Sequence, residues 1–596
     1  MADTPSPAME SDAVIRGAHS ALAAGDPLLA YDACRSALQD DPRNPRLRQL
    51  QALALARSGA EEEAKDILEQ LLEEGVRNEE TLGMLARVHK DRWRRSRQSQ
   101  LARGDLARSL SLYQDAYRTA GGHWSGINVA TLSLIAGNED EAKRVATHLR
   151  AQCAAANDKW SLATLAEACL LLGDMDDAAR AYKQALAAGA ADGDRAPMRR
   201  NARLIFEAKG IDGHWLESVL PAPLIGVFTG HMPDAPLRPT TRFPTELTRG
   251  IGDAIRARLR EDNIRIGYAS AAAGSDILFH EALADISAES RVILPSPPEI
   301  FVQTSVQFAG DEWVARFQAV LNRASAVVVH SESTAGDIAF AYNNWMMLGL
   351  ARSHARAVDG HIRSFAVWDG KETGLGGTSS AIRDWRGFGE DVHWIAPNRP
   401  SSWSVSPAAE ASSALHPSKG QRVISMLFAD AVGFSKLPDE SIPTFVERFL
   451  GAIASALQPY RESVLTTNTW GDGLYITFSS PESAALLALD LCDHLSKIDW
   501  TSHGLPASLS LRTALHCGPA HEVHDPITQQ DIFIGAHVSR AARLEPVTPP
   551  GAVYASQSFA ALCECERVSS FACEYVGRLP LAKKYGEYRT YALRRR

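Results

Sequence analysis

The sequence predicts a multidomain protein with an all-α repeat region, an α/β middle region and an α+β C-terminal region. Three observations predict this. Residues 13–205 are almost uniformly helical in pattern, with a glycine–alanine spacing that recurs. Residues 220–397 alternate short apolar runs with amphipathic stretches, and residues 421–596 mix strands, a hairpin and helices. A length of 596 residues accommodates several domains at ~150 residues each. Hydrophobic residues at 45% and charged residues at 22% are ordinary globular usage, which excludes a collagen-like, mucin-like or wholly disordered chain.

In the first region Gly25 is followed 34 residues later by Gly59, and Gly137 is followed 36 residues later by Gly173. Each glycine has an alanine five residues on: Ala30, Ala64, Ala142 and Ala178. Glycine suits the point where the chain reverses, and a small alanine lets two helices approach closely. The segments AYDACRSAL, AKDILEQLL, AKRVATHLR and AARAYKQAL then form the second helix of each unit. The pattern resembles tetratricopeptide (TPR) repeats, with degenerate copies between 80 and 135. Such a solenoid is expected to present a groove for a peptide, a regulator or another protein partner, or else to pack against its own chain or mediate self-association.

In the middle region LIGVFTG (224–230), RVILP (291–295), AVVVH (326–330) and SFAVWDG (364–370) are expected as buried strands. Between them TELTRGIGDAIRARLRE predicts a helix, and IRIGYASAAAGSDILFHEALADI a strand, a small-residue loop and a helix. Alternating strands and helices with apolar strands indicate a parallel sheet. The loop Ser270–Ser275 opens a helix after a strand, a position that suits a phosphate or nucleotide, although G-x-G-x-x-G is absent. Gly230 and His231 end the first strand, where open α/β sheets bind ligands. The region resembles the nucleotide-sensing Rossmann-like domains often fused to bacterial signalling proteins. A Pro/Ser/Ala-rich linker is expected over 398–420.

The C-terminal region opens with a buried strand, VISMLFA, that ends in Asp430, followed by a helix from Pro443. VLTTNTWGDGLYITF predicts a hairpin turning at Gly471-Asp472-Gly473. LSLRTALHCGPAHEV predicts a strand and then a loop, and IFIGAHVSRAARLEPVTPPGAVYAS a strand or loop, a helix and a strand. Three of these segments resemble motifs of class III nucleotidyl cyclases. FADAVGFS resembles F-x-D-[IV]-x-G-[FS]-[ST], WGDGLYITF the second motif, and GAHVSRAARLEP the motif G-x-x-V-N-x-A-A-R-L-E. They occur in the family's order and with its spacing.

The resemblance implies a class III fold and cyclisation of a nucleoside triphosphate, in which the 3′-oxygen attacks the α-phosphate and pyrophosphate leaves. Two Mg²⁺ or Mn²⁺ ions per site would serve it, one activating the hydroxyl and one neutralising the triphosphate. Hard cations want carboxylates on rigid elements, which Asp430 and Asp472 supply, with the backbone of Ala431 in the same set. The backbone through Phe434 reaches phosphate oxygens, and Gly433 permits the close approach. Arg543 matches the family's transition-state arginine. Four residues earlier Ser539 stands where the family has Asn, with His537 and Arg540 nearby as candidates to compensate. Lys583 or Lys584 matches the lysine that holds the triphosphate. The family's sites form between two domains; with one such domain here, the resemblance implies a head-to-tail homodimer.

Base choice falls on two positions. Adenylate cyclases of the class carry Lys four residues before the second metal aspartate, where this chain has Asn468. They carry Asp or Thr seven residues before the transition-state Asn, where this chain has Ile532, with Asp531 one residue earlier. The Glu/Cys-type pair of guanylate cyclases is missing too. Asn468 both donates and accepts at a pyrimidine edge, with Thr467 or Thr469 beside it, and Ile532 makes an apolar wall. This points to UTP or CTP and resembles the bacterial pyrimidine cyclases of Pycsar antiphage defence, whose cUMP or cCMP switches on an effector protein. The alternatives are an adenylate or guanylate cyclase, and an inactive nucleotide-sensing scaffold.

Lys plus Arg is 62 and Asp plus Glu is 71, a net −9, with no basic block to serve as a nucleic-acid footprint. No apolar run reaches the ~18 residues that span a bilayer, and MADTPSPAMESDAV lacks a leader's apolar core. Eight scattered cysteines and no zinc spacing suit a reduced cytoplasmic protein.

Overall fold

A computed structural model describes residues 7–97, 99–235, 241–331, 336–372, 374, 376–395 and 420–596. The linker expected at 398–420 lies outside them, apart from Gly420. The chain divides into two compact units: Met1–Pro223 with Arg356–Gly360, and Leu224–Ala355 with His361–Arg596.

The first unit is an all-helical repeat region. Its helices are α1 (Pro7–Ala24), α2 (Pro27–Asp40), α3 (Pro45–Ser58), α4 (Glu61–Glu73), α5 (Glu79–Arg95), α6 (Gln100–Ala120), α7 (His123–Ile135), α8 (Glu139–Cys153), α9 (Lys159–Leu172), α10 (Met175–Ala187), α11 (Asp192–Lys209) and α12 (His214–Val219). The first ten pack as consecutive pairs, each pair against the next. The turn glycines take the left-handed conformation that favours glycine: Gly25 at φ +84°, Gly59 at +97°, Gly137 at +82° and Gly173 at +94°. The second helices start from caps such as Asp26, which accepts from the Leu29 amide, and Asn138, which accepts from Glu141. Ala30, Ala64, Ala142 and Ala178 are all buried, so the recurring spacing marks where paired helices touch.

The solenoid's face is not left bare. α11 crosses α1, α7 and α9, the first helices of their pairs. Asn201 donates to Glu167, and Lys209 caps the carbonyl of Leu170 at 3.0 Å. At Gly193 a Cβ would lie 2.2 Å from the Leu22 carbonyl, so glycine is required for α11 to seat on α1. The groove expected to take a partner thus receives a helix of the same chain.

The second unit holds two sheets. The first comprises β1 (Leu224–Gly230), β2 (Ile264–Ala269), β3 (Glu289–Leu294), β4 (Ala326–Val329), β5 (His361–Val367) and β6 (Val392–Trp394), in the order β4-β3-β2-β1-β5-β6. All its pairings are parallel. The order reverses between β1 and β5. β4 departs from the expected buried strand: it is an edge strand, with Val327 and Val329 exposed.

The second sheet comprises β7 (Gln421–Val432), β8 (Val464–Trp470), β9 (Gly473–Phe478), β10 (Ser510–Asp525), β11 (Gln530–Ile534), β12 (Val553–Ser556), β13 (Phe571–Pro580) and β14 (Glu587–Arg595). Its order is β13-β14-β12-β10-β7-β9-β8, with β11 paired to β10. The segment expected to leave its strand for a loop instead runs on through Asp525 and returns as β11. The helix expected from Pro443 contains a π-helical stretch, Phe445–Leu450. Helix Ala536–Leu544 packs Ala541 onto Phe428, Tyr475 and Phe533, which fixes it over β7, β9 and β11. Among the described residues no helix is long and apolar enough to cross a membrane, and all eight cysteines are unbridged.

Candidate active site

Asp430 lies near the end of β7 and pairs in register with Gly473 of β9 and Arg512 of β10. Asp472 occupies the β8–β9 turn. Its carbonyl accepts from the Ala431 amide at 3.2 Å, so strand pairing itself brings the two aspartates together. Arg512 Nη2 donates to Asp430 Oδ2 at 2.7 Å, and its Nε lies 3.2 Å from Glu545 Oε1. Burial, and secondarily the charge of Asp430, pushes the Asp472 carboxyl up. Glu545 is pushed up to about 7 by burial, against the pull of Arg512 and with Asp430 and Asp472 adding to the rise. Gly433 turns the chain at φ +88°, while the Phe434 ring packs at 4.8 Å on Phe445. Phe434 is therefore held by its ring and offers the site only its backbone.

Helix Ala536–Leu544 has two chemically distinct faces. Ser539 is exposed and Arg543 half-exposed, one helical turn apart. Among the described residues the Arg543 guanidinium has no hydrogen-bond or ion-pair partner. The other face is turned inward. His537 meets His516 at 2.9 Å, and its ring lies where a side chain on Gly518 would otherwise be. Arg540 donates to the His330 carbonyl at the end of β4 at 2.8 Å and lies 4.8 Å over the Tyr588 ring. His537 and Arg540, considered as substitutes for the missing asparagine, are buried structural groups that do not share a face with Ser539.

Lys583 and Lys584 form a tight loop between β13 and β14, both at positive φ (+59° and +58°), closed by the Leu581 amide on the Gly586 carbonyl at 2.8 Å. Both are exposed, and the loop touches helix Ala536–Leu544. Asn468 lies exposed on β8 and Ile532 half-buried on β11, and these two strands touch. The geometry thus groups the expected residues into a carboxylate set (Asp430, Ala431, Asp472) and a second set (Ser539, Arg543, Lys583, Lys584) around one helix.

The family described as "Adenylate and Guanylate cyclase catalytic domain" matches residues 417–595. Residues 417–595 are a class III nucleotide cyclase domain. The family "Tetratricopeptide Repeats-Sensor" matches residues 28–133. Among solved structures, the adenylyl cyclase CyaB from P. aeruginosa is 16% identical with a TM-score of 0.27, covering 30% of this chain and 95% of that one. The guanylate cyclase domain of RhGC from Catenaria anguillulae in complex with GTP is 17% identical with a TM-score of 0.25, covering 29% and 97%. An adenylate cyclase from Trypanosoma brucei in its monomeric state is 20% identical with a TM-score of 0.26, covering 30% and 92%. No curated protein matches the sequence.

Two residues of the cyclase domain went unassigned in the sequence. Arg512 and Glu545 flank the aspartate pair; the β7–β10 register places Arg512 and its contact with Glu545 places the second. The carboxylate set fits a divalent cation. It offers hard oxygen donors on a strand end and a tight turn, and Asp472 is pushed up by burial and, secondarily, by the charge of Asp430. Among the described residues no three His, Cys, Asp or Glu side chains form a ready metal cage. The remaining donors would be backbone carbonyls, water and the substrate's own phosphates.

The expected phosphate loop of the parallel sheet is different. The Ser275 amide donates to the His231 carbonyl at 3.1 Å, Ala273 to Ser305 at 3.0 Å, and Ala272 to Asp276 at 3.3 Å. These amides are committed to protein acceptors. His231 itself is paired with Asp369 at 3.0 Å, which also takes Arg242 at 2.9 Å.

Proposed function

We propose that the cyclase domain converts a pyrimidine nucleoside triphosphate, UTP or CTP, into its 3′,5′-cyclic monophosphate and pyrophosphate. What supports this reading is that strand pairing brings Asp430 and Asp472 together, while Ser539 and Arg543 lie exposed one turn apart on a helix that the Lys583–Lys584 loop touches. We take Asp430 and Asp472 as one half-site and the Ser539–Arg543 face with Lys583 and Lys584 as the other. A head-to-tail homodimer would oppose the two halves and make two composite sites.

Asp430, Asp472 and the Ala431 backbone would hold two Mg²⁺ or Mn²⁺ ions. When bound, these acidify the attacking hydroxyl and neutralise the triphosphate. The bond formed is 3′-oxygen to α-phosphorus. The bond broken joins that phosphorus to the oxygen bridging to the β-phosphate, which leaves with pyrophosphate. Arg543 stabilises charge that develops on the α-phosphate, Ser539 donates a hydrogen bond in place of the family's asparagine, and Lys583 or Lys584 steadies the triphosphate. Arg512 is a positioning residue: it holds Asp430 against the charge of Glu545 and Asp472.

The pyrimidine choice is supported by Asn468 and Ile532 on adjoining strands, an amide beside an apolar wall in place of the charged purine readers. The resemblance to pyrimidine cyclases extends this reading to a second messenger of antiphage defence in the cytoplasm. We read the parallel-sheet region as a Rossmann-like sensor. Arg540 on His330 and Tyr342 on the Cys517 carbonyl at 2.9 Å tie that region to the cyclase fold.

Purified protein with Mn²⁺ and each of ATP, GTP, CTP and UTP, with products resolved by mass spectrometry, tests the proposal. Cyclic UMP or CMP as main product is expected. Cyclic AMP or GMP as main product overturns the base assignment. No cyclic product from any of the four leaves the domain a nucleotide-sensing scaffold.

A further inference from the structure

The parallel-sheet region and the cyclase domain lie in the same compact unit and share a buried seam. One side of it is helix Asp337–Val358 of the parallel-sheet region. Tyr342 of this helix is buried and donates from its hydroxyl to the Cys517 carbonyl of β10 at 2.9 Å. Its ring meets His330 edge-on at 5.7 Å and His537 at 5.5 Å. Two turns on, Gly349 lets another backbone in: a Cβ there would collide with the Ala561 carbonyl. Arg352, three residues further, donates to the carbonyls of Glu564 at 3.3 Å and of Cys565, which ends helix Gln557–Cys565. Tyr342, Gly349 and Arg352 lie on one face of their helix, so that face is given over to the cyclase fold.

Helix Ala536–Leu544, which carries Arg543, is seated from two sides. The cyclase fold buries Ala541 and Leu544 in two apolar clusters. The parallel-sheet region takes Arg540, whose Nη1 donates to the His330 carbonyl at 2.8 Å with both residues buried. Arg540 stands one residue after Ser539 and three before Arg543. A helix turns by about 100° per residue, so any rotation that moves Arg540 swings Ser539 and Arg543 through the same angle. Apolar contacts tolerate a small rotation, whereas a charge-assisted hydrogen bond is directional. A buried guanidinium that loses its acceptor is strongly disfavoured, so the helix follows the carbonyl rather than parting from it. That carbonyl belongs to the residue after β4, whose own amide donates to Leu294 at the end of β3 at 3.1 Å. It therefore sits at the carboxyl end of the parallel strands, the edge where open α/β sheets receive ligands.

We propose that Arg540 is a positioning residue for Arg543, and that through it the parallel-sheet region regulates the cyclase: the end of β4 sets the rotation of helix Ala536–Leu544 and so the direction of Arg543. The regulatory consequence rests on reading Arg543 as the group that stabilises charge on the α-phosphate. The mechanical link from β4 to the helix does not, and it has a readout of its own.

The test compares the full chain as wild type, Arg540→Gln, Arg540→Lys and Tyr342→Phe. Hydrogen–deuterium exchange by mass spectrometry, without nucleotide, follows residues 536–544, with β7 and β9 as the measure of general fold. Exchange of 536–544 is expected to rise about fivefold or more in Arg540→Gln and about twofold in Tyr342→Phe, with β7 and β9 unchanged. Arg540→Lys keeps a charged donor for the His330 carbonyl and should return most of the protection. With the triphosphate that wild type cyclises, kcat should fall about tenfold or more in Arg540→Gln at unchanged KM, and Arg540→Lys should recover most of it. Should Arg540→Gln also expose β7 and β9, Tyr342→Phe, which removes a single hydroxyl, carries the test. The proposal is overturned if 536–544 exchanges in the folded variants as in wild type, or if exchange rises while kcat stays within about twofold. No cyclic product from wild type with any of ATP, GTP, CTP and UTP sinks the cyclase reading instead, and exchange alone then decides the link to β4.

Discussion

The molecule assembles like charges in two places and treats them differently. In the cyclase domain, Asp430, Asp472 and Glu545 crowd around the end of β7, and Arg512 is set among them at 2.7 Å from Asp430 and 3.2 Å from Glu545. In the helical unit, Arg57, Arg87 and Arg200 converge with Asp91 3.4 Å from Arg87 and Asp359 3.8 Å from Arg200. The first cluster carries a partial counter-charge of its own, so it folds without a cation and still has capacity for one. The second is balanced in part by those carboxylates and in part by backbone carbonyls, which solvate a guanidinium without neutralising it. Leaving charge uncompensated in a half-buried place is costly.

The largest expected effect breaks the first cluster. Asp472→Ala removes a donor for several kcal/mol of transition-state stabilisation, so cyclase activity should fall by about a thousandfold or more. Unfolding by circular dichroism should change little, because the turn is held by the Ala431–Asp472 backbone bond. Near-normal turnover would remove the aspartate from the site. A second experiment asks whether the half-sites belong to different subunits. Asp472→Ala and Arg543→Ala proteins, each inactive alone, should regain about a quarter of wild-type activity when mixed one to one. Random pairing makes half the dimers mixed, and each mixed dimer has one intact site of two. No recovery after subunit exchange would place the two sets in the same subunit.

What was legible in the sequence follows from how locally each feature is encoded. The aspartates and Arg543 stand in short motifs, and the proposed metal binding and charge stabilisation would demand set residue types on one strand end, one turn and one helix. The Gly–Ala spacing gave away the helical pairs, since a left-handed turn and a close helix contact each admit few residues. The facing of helix Ala536–Leu544 was not legible. Its inner face is decided by His330, contributed by a strand far away in the chain. Arg512 was missed because its role rests on the β7–β10 register rather than on a motif. β4 looked buried because its apolar run is continuous, yet it lies at the sheet edge, a property of strand order and not of composition. The arginine cluster draws one residue from each of three helices, and each alone looks like a surface charge.

A third group of ionisable residues avoids charge instead of balancing it, and it yields the smallest predicted effect. His516, His537 and His330 are buried together beside Arg540. Burial, then the positive field of Arg540, pushes His537 down to about 3, and burial likewise lowers His330 to about 3 and His516 well below its usual value. Each is neutral in the native state and free to protonate when unfolded. For such a group the contribution to stability is fully present above pH ~6.5 and is lost as pH falls toward the native value, at about 1.4 kcal/mol per pH unit. His537→Asn deletes one of these groups while keeping a hydrogen-bonding side chain against His516. The variant should be less stable than wild type at pH 7.5, and the gap between them in urea unfolding should narrow as pH falls from 6.5 to 5. Other titrating groups are common to both proteins and cancel in that difference. A gap that stays constant, or widens in acid, would mean that His537 is protonated in the folded protein. The inner face of the Arg543 helix would then be charged as the two clusters are, and the contrast between paired, partly paired and discharged groups would lose its third member.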